Sequence, residues 1–210
     1  MANLITLSTY KELMGIQTTA TDFQLSSQID SVSQLVKTYC NNSFVDHYST
    51  AKVEVFSINF AQQFLQLSET PIQISGDPMS PAGVDGVSGK TITVQERDSI
   101  ADSYTTLAST DFFVDHHTDG IYRSDGSTGY KSFPIGPGAV KVTYFGGYPS
   151  IPNDLRLAVV DLITYYHKDE RKGRQTLAGA SITNQSSTTQ RNNVDFPDHI
   201  KRVLDLYKNY

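Results

Sequence analysis

The sequence predicts an α+β protein: a small helical bundle with an inserted β-rich module and an extended C-terminal arm that ends in a short helix. Three observations predict it. Apolar residues recur at three- and four-residue steps near both ends of the chain, the helical period. From Ala51 the period changes to two and the chain stays strand-like for most of the next hundred residues. The stretch from Gly138 to Lys172 then joins the two regimes in a strand-to-helix corner. The organisation expected is a helical body from 1–50 and 150–172, an inserted β-rich module from 51–149 with long loops, and an arm and helix from 173–210.

Taken in order, Leu4 to Met14 reads as a short lead-in and a helix, with Ser8 or Thr9 as N-cap, Glu12 placed to complete a capping box with Thr9, and Gly15 as the stop. Past a polar stretch, Leu25, Ile29, Val32, Val36 and Tyr39, flanked by Leu35, form the stripe of a longer helix closed by Asn41-Asn42-Ser43. In the first strand Val53 and Val55 are odd while Phe56, Ile58 and Phe60 are even, so the buried face is expected to switch at a bulge or strand break near Val55. Short strands follow at Phe64–Leu67, Pro71–Ile74 and Thr91–Val94, and Gly76 to Lys90 reads as a projecting loop. Asp111–Asp115 and Gly120–Tyr122 make a hairpin, and Ser124 to Gly138 a second long loop.

At the corner, Val140, Val142 and Tyr144 share one face of a strand and Lys141 and Thr143 the other. Gly146 and Gly147 permit left-handed backbone, and Pro152 opens a helix whose apolar face is Leu155, Val159, Leu162, Ile163 and Tyr166. Gly173 to Asn193 is rich in Ser, Thr, Gln and Asn and is expected to be an extended or mobile arm. Pro197, Ile200, Val203, Leu204 and Tyr207 then predict a short amphipathic helix, which needs a surface to pack on.

Composition narrows the function. No apolar run approaches the roughly 20 residues of a membrane span. The first residues lack the basic region and apolar stretch of a signal peptide, so synthesis and retention in a cytoplasm are expected. A single Cys, Cys40 in a helical stripe, excludes an internal disulfide and a cysteine-rich zinc site. The net charge of -5 argues against a phosphate-gripping surface, though it suits a wall that DNA merely passes. Asp115-His116-His117-Thr118-Asp119 is the one cluster that could hold a metal, yet one turn supplies no convincing third and fourth ligand, and a polar hairpin turn is the better reading. Asp125–Gly129 is neither a calcium loop nor a phosphate loop, and no Ser sits in a nucleophile elbow. No enzyme, no cofactor and no metal site is expected.

The order of elements and several strings resemble the head-tail connector (adaptor, or head-completion) proteins of tailed bacteriophages. The strings are Leu4-Ile5-Thr6-Leu7, Gln66-Leu67 with Pro71-Ile72, and Ser109–Phe112 with Gly120-Ile121. The fullest match is Val140–Tyr144 through Gly147-Tyr148-Pro149 to Pro152-Asn153-Asp154-Leu155, the V-x-V-x-Y strand, G-Y corner and P-x-D-L helix start of that family. The resemblance implies a homo-oligomeric ring, commonly of twelve copies, below the portal protein at the head-tail junction of a virion. Such a ring continues the DNA channel without sequence-specific binding and offers a docking surface to the tail or a tail-completion protein. It also implies portal docking by the C-terminal region, here Thr176 to Tyr210 with Ile182, Phe196, Ile200, Leu204, Tyr207 and Tyr210 as candidates. The same helix face closing the protein's own bundle is an equal alternative for Ile200, Leu204 and Tyr207. The loops 76–103 and 124–138 are longer than in compact members. A second reading, a tail-associated carbohydrate- or receptor-binding β-module, rests on Tyr48, Tyr104, Tyr122, Tyr130, Tyr144 and Tyr148 in or near loops, and a metal-dependent hydrolase is a distant third.

Overall fold

The computed structural model describes residues 2–74, 90–168, 175–177, 180–182 and 196–209, with backbone alone at 175–177 and 180–182. The chain forms two compact units, one from Met1–Asn42 with Ile151–Tyr210 and one from Ser43–Ser150. Helices and antiparallel sheets together make it an α+β protein.

The first unit is helical. Helix α1 spans Leu7–Met14, three residues earlier than a Thr9 cap would allow, because the Thr6 hydroxyl accepts the Thr9 N–H at 3.2 Å and takes the N-cap position. It stops at Gly15, whose backbone is left-handed. Helix α2, Asp22–Cys40, buries Leu25, Ile29, Val32, Val36 and Cys40, and Asn41 ends it with a φ of 50°. Helix α3, Asn153–His167, starts after Pro152 and buries Leu155, Ala158, Val159, Val160, Leu162 and Ile163. Tyr10 of α1 is buried and its hydroxyl meets that of Thr164 at 3.0 Å, which ties α1 to α3. Helix α4, Asp198–Leu206, packs on both α2 and α3.

The second unit is built around one long strand. Strands β1 (Lys52–Ile58), β2 (Phe64–Gln66), β3 (Ile72–Gln73), β4 (Thr93–Glu96), β5 (Thr105–Thr106), β6 (Phe112–Asp115), β7 (Gly120–Arg123) and β8 (Gly136–Gly146) fall in two antiparallel sheets. In the larger, β8 pairs with β1, β4 and β3, and β5 adds to β4; in the smaller the order is β2-β7-β6. The alternation predicted for β8 is present: Val140, Val142 and Tyr144 are fully buried while Lys141 and Thr143 are half-buried. They join Ile58, Leu65, Leu67, Ile72, Val94, Ile121 and Phe133 in one core.

In β1 the face does not switch at Val55. Glu54, Phe56 and Ile58 all lie on the inner side and Val53 and Val55 on the outer, each more than half exposed, while the register irregularity falls between Phe56 and Ile58. The expectation failed because it assumed that valines face inward; a carboxylate takes the inner position instead and is held there by partners described below. The turn after β8 needs Gly147: its φ is +90° and a Cβ would sit 2.2 Å from the Phe44 carbonyl oxygen.

The predicted loop from Gly76 to Lys90 lies outside the described residues except for Lys90. Within the predicted arm, β9 (Gln175–Leu177) and β10 (Ala180–Ile182) pair antiparallel, and its remaining residues lie outside the description.

Candidate functional site

The tempting cluster between β6 and β7 is a self-satisfied turn. Asp115 accepts the His117 N–H at 2.9 Å and the Thr118 hydroxyl at 2.8 Å, and these bonds hold its carboxyl below the usual carboxylate range. Asp119 turns away from them, with a φ of 50°, to accept the Ile72 N–H at 2.9 Å; its burial raises its carboxyl above the usual range. The two carboxylates therefore point to different tasks, and no group of three or more His, Cys, Asp or Glu able to hold a metal occurs among the described residues. Asp125 likewise accepts the N–H groups of Ser127 and Gly129 within its own loop.

Two polar networks missed at the level of sequence organise the β-rich unit. Lys52 Nζ lies 3.0 Å from both Glu54 and Glu69, the Tyr144 hydroxyl donates to Glu54 at 2.8 Å, and the Ser68 hydroxyl bonds Glu54 as well. Glu69 accepts both the N–H and the hydroxyl of Ser43. Burial opposes the charge of Glu54, but the bonds from Ser68, Lys52 and Tyr144 win and keep its carboxyl below the usual range. Burial, followed by the Glu54 charge, pushes the Tyr144 hydroxyl up, so it stays a donor. In the second network Arg123 grips Glu96 with two nitrogens at 2.8 and 3.2 Å and donates to the carbonyls of Asp111 and Ser124, joining the smaller sheet to the larger. Both networks serve architecture: every acid in them has a cation or hydroxyl on it.

The C-terminal candidates divide by position. Phe196, Ile200 and Leu204 are buried in the helical unit, Phe196 edge-on to the Tyr39 ring at 5.0 Å. Tyr207 donates to the Asp154 carboxylate at 2.7 Å, at the start of α3. Tyr39 donates to Asp205 at 2.5 Å, and the Asn209 N–H reaches the Cys40 carbonyl at 2.8 Å. Cys40 itself is buried and its thiol is pushed up to about 12, which leaves it inert. The α4 segment thus locks onto the last turn of α2. Ile182 is at the end of β10 with its side chain outside the description, and Tyr210 lies outside it entirely.

Among the described residues, several large apolar side chains are exposed. Across the smaller sheet Phe64, Tyr122 and Phe113 are direct cross-strand neighbours, Phe64 and Tyr122 have ring centroids 4.8 Å apart, and Tyr130 leans on Tyr122 at 5.9 Å. Phe113 and Tyr130 are each more than 60% exposed, so this is an open aromatic platform. Gly120 makes room for it, because the Phe64 ring occupies the space of a Cβ there. Alternation in the predicted hairpin placed Phe113 on one face; its alignment with Phe64 required the pairing of β2 with β7, which no local pattern gives. In the helical unit, Phe23 stands 91% exposed, with Leu157 and Leu206 also largely exposed.

Two family models match this chain. One, described as head completion protein, matches residues 103–210, and the other, phage gp6-like head-tail connector protein, matches residues 4–75. The head completion protein of Escherichia phage T5 is 28% identical over 109 residues, which are 51% of this chain and 60% of that protein. Among solved structures, a chain in the neck of an empty gene transfer agent (GTA) particle with C6 symmetry aligns with a TM-score of 0.57 at 13% identity, covering 99% of this chain and 90% of its own. A chain in the neck of the native GTA particle with C12 symmetry aligns at 0.55 and 12%, covering 100% and 96%. At such identities the likeness is one of fold.

Proposed function

The chain belongs to the head completion protein family, and from that premise we propose that it is a structural subunit of the virion neck, assembled as a ring between portal and tail. The observation that carries the reading is the agreement of two matches in chain order, connector-like over 4–75 and head completion over 103–210, with a neck-protein fold along the whole length. Phage families of this kind are structural, and the fully satisfied polar networks fit that role.

The ring has twelve copies in this reading, following the C12 neck, and its contacts are heterologous, each subunit offering one surface to the next until the rotation closes. The wall of its passage needs no grip on DNA, in keeping with a chain whose net charge is -5. The C-terminal segment is the portal-docking element. Within it Phe196, Ile200 and Leu204 hold α4 to its own unit, so portal contact falls to the outer side, where Leu206 is 78% exposed, and to Ile182 and Tyr210. The aromatic platform of the smaller sheet is the tail-side docking face.

That platform is also what a carbohydrate-binding tail module would use, since exposed aromatic rings stack on sugars. The experiment that separates the two is assembly in infected cells with Phe113→Ser and Tyr130→Ser. The neck reading expects DNA-filled heads and free tails that do not join. Normal virions that fail only to adsorb to cells would support the carbohydrate module instead.

A further inference from the structure

Resting on the reading of the smaller sheet as the tail-side docking face, we infer that its open edge, β6, takes up an extended strand of the tail-side partner. That strand carries an apolar or aromatic residue opposite Phe113 and a Lys or Arg two positions to either side of it.

The edge itself specifies a strand. β6 pairs with β7 alone, so its other side is a border of the sheet. The Ser124 N–H bonds the Asp111 carbonyl at 2.9 Å, which makes these two residues a bonded pair of the ladder. Bonded and non-bonded pairs alternate between antiparallel strands, so Phe113 and Tyr122 are the next bonded pair, and Phe112 and Val114 turn their N–H and C=O groups outward. Among the described residues no hydrogen bond from outside the β6–β7 ladder reaches those groups. Exposed edges are ordinarily blunted by Lys, Pro or a bulge; Phe112-Phe113-Val114 contains neither residue and keeps an unbroken register with β7.

The side chains say what the added strand carries. Phe64, Tyr122 and Phe113 stand opposite one another across three strands, and Phe113, 61% exposed, is the last ring before the border. A residue opposite it on a fourth strand has its Cβ about 4.5–5.5 Å away, where aromatic and β-branched pairs stabilise a sheet. Asp111 and Asp115 lie on the same face, two residues to either side of Phe113. Their carboxylates accept the N–H groups of Ala108 and His117 and the Thr118 hydroxyl, and among the described residues no Lys or Arg pairs with either.

The same two charges exclude a second copy of this chain. Antiparallel self-pairing that uses both Phe112 and Val114 sets Asp111 of each copy directly opposite Asp115 of the other, so acid meets acid at both ends. A strand with basic residues at those places meets the two acids with opposite charge.

The test uses the unaltered full chain and a fluorescent seven-residue probe, Thr-Lys-Val-Phe-Val-Lys-Thr, followed by anisotropy. Glu in place of both Lys should weaken binding at least about fivefold. N-methylation of both Val, whose N–H groups meet the Phe112 and Val114 carbonyls, should weaken it at least about tenfold, whereas N-methylation of the Phe, whose N–H faces away, should change it less than about twofold. A Glu probe or an N-methyl-Val probe that binds like the parent, or a parent probe that does not bind, overturns the inference. In infected cells Val114→Pro, which removes an outward N–H and leaves the β7 ladder intact, should block tail joining as Phe113→Ser does. Asp111→Asn with Asp115→Asn, which keeps the oxygens that accept the turn N–H groups, should impair it too. If Phe113→Ser blocks joining and these other forms do not, strand addition is wrong and the docking face stands. If all of them join tails normally, the docking-face reading falls, and this inference with it, even where the probe binds.

Discussion

Truncating Leu204 should cost the helical unit far more than an exposed or mobile tail could. Leu204 is 0% exposed, its neighbour Ile200 is 1%, and both sit in a surface made by α2 and α3. Removing a buried Leu or Ile side chain to Ala costs about 2–5 kcal/mol, the lost transfer energy plus the cavity left behind. Natural domains hold only about 5–15 kcal/mol in all, so Leu204→Ala should move the unfolding midpoint of this unit clearly, and Ile200→Ala with Leu204→Ala should release α4 or unfold the unit. The assay is urea unfolding followed by far-ultraviolet circular dichroism and by tyrosine fluorescence, since the chain has 12 Tyr and no Trp. Tyr39, edge-on to Phe196 and bonded to Asp205, is a local reporter of α4 docking. Tyr207→Phe is the control: it loses a bond to the exposed Asp154 and should cost only about 1 kcal/mol. A Leu204→Ala loss below about 0.5 kcal/mol would refute the packing of α4 and return this helix to a free arm.

Three further outcomes follow from the β-rich unit. Arg123→Ala should destabilise it by about 3–5 kcal/mol in thermal or urea unfolding, because Glu96 is left without its bidentate partner where little water reaches; a loss under 1 kcal/mol would mean the pair is dispensable. Gly147→Ala should cost at least about 1–3 kcal/mol through the backbone strain alone, with the Phe44 clash added, and wild-type stability would contradict the corner geometry. The pH dependence turns on Glu54. Its folded carboxyl is held below the ordinary value of 4.5, so the unfolded chain binds its proton first and the stabilisation is complete above that pH. Stability should fall as pH drops through the folded value, and Glu54→Gln should flatten that acid limb; an unchanged acid limb would remove Glu54 from the account.

Much of the fold was legible because its signals are local. The α2 and α3 stripes, the β6–β7 hairpin, the alternation of β8 and the Gly147 corner follow from periodicity and backbone preference. The misses have two kinds of cause, and the first is degeneracy: Thr6 accepts the Thr9 N–H and caps α1, where the Ser-Thr pair downstream offered equally good caps by sequence. The inward Glu54 is stabilised by Ser68 and Tyr144, 14 and 90 residues away, and no window of the chain around β1 contains them. The candidate surfaces show the same divide. Ile200 and Leu204 were visible as one face of a helix, but amphipathicity says only that the face is covered, and α2 and α3 cover it. The Phe64–Tyr122–Phe113 row exists only once β2 pairs with β7.

The proposed ring in the neck is tested most directly by light scattering of the purified protein, alone and mixed with the portal protein of the same phage, followed by electron microscopy of any large species. A closed ring coaxial with the portal, with twelve copies in it, is the predicted result. A strict monomer that ignores the portal at every concentration would contradict the account.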